Sequence, residues 1–83
     1  MKHILVVEDE EIIRTALHKL LVHNGYGVDQ AESVQDAIDN YQFDEFDLII
    51  SDLRLPGRPG TDLIDLAANK PVLIMTSYAS LRS

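Results

Sequence analysis

The chain has no cysteine. That one absence removes disulfide staples, a thiolate nucleophile and a zinc knuckle, and it suits a reducing cytoplasm, the compartment expected here. Basic residues are also scarce, with 7 Lys and Arg against 14 Asp and Glu and a net charge of −7. Such a balance argues against a nucleic-acid surface and an anionic membrane, and acids gathered in one place call for a cation. Long apolar runs are missing: the opening run Ile4-Leu5-Val6-Val7 is too short for the core of a signal peptide or for a bilayer span. No strand-like run is followed by a glycine-rich phosphate loop, which argues against a nucleotide-binding domain. His18 and His23 are not spaced to share a helix face and His3 is isolated, so no histidine metal site is expected. Eighty-three residues make at most one domain, a small one of slim stability.

What is present is organised around Leu48-Ile49-Ile50-Ser51-Asp52. An apolar run of this kind reads as a strand buried on both faces, and it stops at a carboxylate before Pro56-Gly57 turns the chain. An acid at a buried strand's tip is held stiffly and still meets solvent. The plain alternative is that Asp52 only ends the strand.

Ile4 to Val7 is a similar strand, ending in Glu8-Asp9-Glu10-Glu11. Glu10 and Glu11 suit a helix start, where acids meet the positive end of the dipole, whereas Glu8 and Asp9 sit at the strand tip. In the helix that follows, Ile13, Ala16, Leu17, Leu20 and Leu21 form an inward stripe with Arg14, His18 and Lys19 on the other side, and Asn24-Gly25 stops it. Tyr26 to Ala31 is a weaker, edge-type strand interrupted by Gly27. Ser33 to Asp36 resembles a helix cap, and Val34, Ala37, Ile38 and Tyr41 mark the inner face behind it. Phe43 and Phe46 read as core plugs. Thr61-Asp62 starts a helix that turns Leu63, Ile64 and Ala67 inward, Pro71 to Thr76 is the last strand, and Ser80 could cap a further helix.

The order β-α-β-α-β-α-β with short connections predicts an α/β fold: a doubly wound parallel sheet with helices on both faces. In strand order 2-1-3-4, the carboxyl ends of the first and third strands meet at the switch point where ligands bind. Glu8, Asp9 and Asp52 then gather there, with Thr76 flanking Asp52. Two unit charges about 5 Å apart repel by roughly 3 kcal/mol at an effective dielectric of 20, so either one acid is protonated or a cation sits among them. Hard oxygen donors describe a magnesium site, and the constellation suggests phosphoryl transfer to Asp52.

These residues, with the Leu55-Pro56-Gly57-Arg58-Pro59-Gly60 loop and Met75-Thr76-Ser77, resemble the receiver domain of two-component response regulators, of the flavodoxin-like fold. The loop and the Met75-Thr76-Ser77-Tyr78 run are similar to receivers of sigma-54-dependent transcriptional activators. The resemblance implies that Asp52 accepts phosphate from a sensor histidine kinase. It also implies that Glu8, Asp9, Asp52 and the backbone carbonyl of Arg54 hold Mg2+, that Thr76 is the switch hydroxyl, and that the module controls an output domain, with no turnover of its own. An aspartate-nucleophile phosphohydrolase would carry a second acid where Arg54 stands.

Receivers run to about 120 residues, within the usual range for a domain, so residues 1–83 are expected to be the N-terminal part of one, lacking the fifth strand and helix. The family lysine after the fifth strand has no counterpart: Lys2 and Lys70 belong at the other end of the sheet, Lys19 lies on the outside of a helix, and Tyr78 does not match the switch aromatic. Losing about 500 Å² of apolar cover would forgo roughly 12 kcal/mol and leave the fourth strand an open edge. The chain is therefore expected to be partly disordered alone or stabilised by self-association through that edge, and a discrete, cooperatively melting monomer would count against it. The alternative function is a non-catalytic interaction fragment, folded only with a partner and chemically silent.

Overall fold

The structure is a computed structural model, and it describes residues 1–76. Four strands, β1 (His3–Val7), β2 (Gly27–Ala31), β3 (Leu48–Asp52) and β4 (Val72–Met75), form one sheet. Its order is β2-β1-β3-β4 and every pairing is parallel. Helices α1 (Glu11–His23), α2 (Val34–Asn40) and α3 (Asp62–Leu66) make the crossovers, and a 3-10 turn over Phe43–Glu45 leads into β3.

The two central strands are apolar without alternation because both of their faces are covered. On one face Leu5, Val7 and Ile49 pack with Val34 and Ala37 of α2, Leu63 of α3, Ala67 and Phe46. On the other, Ile4, Val6 and Ile50 meet Leu17 and Leu21 of α1. Helices on both faces of a parallel sheet in this order make a doubly wound, flavodoxin-like α/β fold.

Local signals in the sequence account for the element ends. Gly25, at φ +91°, follows α1 in the left-handed region that ends many helices. Ser33 Oγ accepts the Asp36 N–H at 3.0 Å, and Asp36 Oδ2 accepts the Glu32 N–H at 3.0 Å, so two orphan donors are satisfied at the start of α2. Phe46 plugs the core at 2% exposure and meets the edges of both His3 and Tyr41.

Two helix faces differ from the expectation. On α1, Ile13, Leu17 and Leu21 face inward, but Ala16 and Leu20 are exposed and Arg14 and His18 are half-buried in their place. The helix has no fully buried residue, because among the described residues no other helix lies beside it over β1 and β2. His18 Nδ1 is buried with no hydrogen-bond partner among the described residues. On α3, Leu63 and Ala67 turn inward as expected, whereas Ile64 is 50% exposed. The helix is only five residues long, too short to bury a wider stripe. Ser77, Tyr78 and Ser80 lie outside the described residues.

Candidate functional site

The register fixes where the acids meet. Val7 pairs with Ser51 and Asp52 with Met75, so the residues just past β1, the end of β3 and the end of β4 line up along one edge of the sheet. A further hydrogen bond, from the Glu8 N–H to the Ala31 carbonyl at 3.0 Å, carries the β1–β2 ladder one residue beyond the strand. The Glu8 backbone is thereby tied to the end of the sheet. Among the described residues, Glu8, Asp9 and Asp52 are the one cluster of acids able to converge on a metal, with one oxygen from each within 4.8 Å of the others.

The three carboxylates differ in environment. Glu8 is 1% exposed, Asp52 half-buried and Asp9 exposed. Burial pushes the Glu8 carboxyl from 4.5 up to about 7; the charges of Asp52 and Asp9 push the same way, and a hydrogen bond from the Glu10 N–H pulls partly back. That bond, to Glu8 Oε1, is 3.1 Å long. A buried acid beside two others is the arrangement a divalent cation relieves, and hard carboxylate oxygens are donors that Mg2+ accepts. The residues present therefore fit the ion.

Backbone contacts hold the acids in place. Ser51 Oγ donates to the Asp52 carbonyl at 2.9 Å, and Gly60 folds back so that its N–H donates to the Leu53 carbonyl at 3.1 Å. A Cβ on Gly60 would collide with the Asp52 carbonyl oxygen and lie 2.6 Å from Ser51 Oγ, so only glycine lets the loop close against the strand end. The Arg54 N–H reaches Asp52 Oδ1 at 3.3 Å. Thr76, exposed, follows β4 directly on the Asp52 side. Arg14 Nη1 donates to the Glu8 carbonyl at 2.9 Å and the Asp9 carbonyl at 3.4 Å.

Lys2 and Lys70 lie at the opposite end, as expected. There Asp47 accepts the His3 N–H at 2.8 Å, and its carboxyl is held below the usual value first by that bond, then by both lysines. Nothing in the sequence marks Arg14 or Ser51 as part of this cluster. No pattern marks Ser51, and Arg14 could have been noticed only as a cation one turn into a helix that begins with acids.

Residues 4–83 match the family model described as the response regulator receiver domain. The response regulator protein FleR of Pseudomonas aeruginosa is 33% identical over 82 residues, which cover 94% of this chain and 17% of FleR. The chain thus spans less than a fifth of that relative's length. Among solved structures, the non-phosphorylated HemR receiver domain from Leptospira biflexa is 32% identical with a TM-score of 0.84, over 99% of this chain and 73% of that one. The response regulator protein TrrA from Thermotoga maritima, in complex with Mg2+–BeF, is also 32% identical with a TM-score of 0.79, over 99% of this chain and 75% of that one. A parallel sheet in this order, with an acid cluster at its carboxyl edge and a family match over nearly the whole chain, leads to one assignment: the protein belongs to the response regulator receiver domain family.

Proposed function

We propose that Asp52 is the phosphoacceptor of a two-component signalling module and that Glu8, Asp9, Asp52 and the Arg54 carbonyl hold Mg2+. The convergence of three carboxylates within 4.8 Å at the end of β3 carries this reading. An Asp52 carboxylate oxygen attacks the phosphorus of a phosphohistidine on a sensor histidine kinase; the P–N bond breaks and the imidazole nitrogen keeps the electron pair. With an ion held by those residues, its charge would screen that of the incoming phosphoryl group. Half-burial of Asp52 leaves one side open to the donor, and Ser51 and Gly60 fix its backbone while it reacts. The Thr76 hydroxyl, just past the end of the neighbouring strand, donates a hydrogen bond to a phosphoryl oxygen. The aspartyl phosphate is the output rather than an intermediate of turnover. It switches an output domain, transcriptional by resemblance, in a cytoplasmic protein.

Intact mass after incubation with Mg2+ and a small acyl phosphate tests this. A phosphoryl adduct is expected on the wild type and is lost in Asp52→Asn or when EDTA replaces Mg2+. An adduct that persists in Asp52→Asn sinks the assignment.

A further inference from the structure

Helix α1 starts without a side-chain cap: its N-cap residue, Glu10, makes no such bond to the first turn. The loop before it, Glu8 to Glu10, must nevertheless hold a fixed shape, because it carries two of the three clustered acids. The only side chain of α1 that the described hydrogen bonds direct to this loop is Arg14. From the second turn of the helix its Nη1 reaches back to the carbonyls of Glu8 and Asp9, and its own N–H bonds the Glu10 carbonyl at 2.9 Å. Arg14 therefore touches two consecutive loop carbonyls and the helix start, while neither carboxylate of Glu8 nor of Asp9 is paired with it among the described bonds.

We propose that Arg14 is a positioning residue, which clamps the β1–α1 loop so that the Glu8 and Asp9 carboxylates face Asp52 and receive the metal. This rests on the phosphoacceptor reading of the same site. Charge and geometry predict opposite effects, which makes the idea sharp. A guanidinium on the loop that carries two of the acids competes with a divalent cation, so if Arg14 acted through charge alone its removal would tighten Mg2+ binding. If it acts by holding the carbonyls, its removal weakens Mg2+ binding despite the lost competitor.

Calorimetric titration with Mg2+, beside melting of the metal-free protein in EDTA, separates these cases. Arg14→Ala is expected to weaken Mg2+ on the order of tenfold, as losing a group that orients metal ligands does. Arg14→Lys, which keeps one donor arm, should recover part of the loss. Leu21→Ala, at the far end of α1, lowers the melting temperature and should leave Mg2+ affinity unchanged. Unchanged or tighter binding in Arg14→Ala overturns the proposal, and so does equal weakening in Arg14→Ala and Leu21→Ala. A wild type that binds no Mg2+ and takes no phosphoryl group overturns the phosphoacceptor reading instead, and the clamp with it.

Discussion

Glu8, just past the end of β1, and Asp52, the last residue of the adjacent parallel strand β3, stand side by side, one carboxylate sealed in the core and the other half open to solvent. Neighbouring acids in unlike surroundings titrate differently, and the buried one is the more expensive to charge.

The pH profile of the metal-free protein should show that cost. Glu8 goes from 4.5 to about 7 on folding, so the folded state holds its proton more tightly. Its contribution to stability is present in full below 4.5 and is lost as pH rises to about 7. The loss is on the order of 3 kcal/mol. Glu8→Gln mimics the protonated form; in EDTA at pH 8 it should exceed the wild type by a similar amount while failing to bind Mg2+. Urea midpoints at pH 5 and pH 8 for both proteins provide the check. A wild-type loss that Glu8→Gln fully shares would rule Glu8 out as its source.

Gly60 and Gly57 should respond differently to alanine. At Gly60 a methyl meets the Asp52 carbonyl and Ser51 Oγ, so the loop must shift, at a cost of about 1–3 kcal/mol, and phosphorylation of Asp52 should fall with it. Gly57, at φ +81°, has nothing within 4 Å of an added Cβ, so its alanine costs only backbone strain, about 1 kcal/mol, and leaves labelling intact. Acyl-phosphate labelling rates of the two variants, compared at equal folded fraction, decide this; equal rates would remove Gly60 from the site.

His18→Leu should stabilise the protein by about 1 kcal/mol, because Nδ1 is buried without a partner among the described residues. A thermal melt suffices. A drop in stability would mean that the imidazole has a partner after all.

Ser33→Ala should destabilise by about 1 kcal/mol through loss of the α2 cap, and Ser33→Asp should restore most of it. Chemical denaturation of the three proteins measures both effects, and both are expected without any change in Mg2+ affinity.

Much of this was legible in the sequence. Continuous apolar runs named the central strands, the alternation of elements gave a parallel sheet, and acids at strand tips marked the site. The inward face of α1 was legible only in part. Ile13, Leu17 and Leu21 belong to any inward stripe, and hydrophobicity favours Ala16 and Leu20 as its flank. The structure turns the other flank in, because Arg14 reaches the carbonyls of Glu8 and Asp9 from there. Gly60 reads as one more loop glycine, since its contact with the Asp52 carbonyl arises only once the loop folds back on the strand.

The His3–Asp47 hydrogen bond joins residues 44 apart, across the same strand pair that brings Glu8 to Asp52. β1 therefore cannot find its central neighbour on the ribosome until β3 has emerged, and no local hairpin can stand in for that partner. Asp52 can join Glu8 and Asp9 only after the chain between them has been made. Until then Asp52 is a solvated charge far along the chain from the Glu8-Asp9 pair, and the three-way repulsion of the finished cluster is absent from the chain's first collapse.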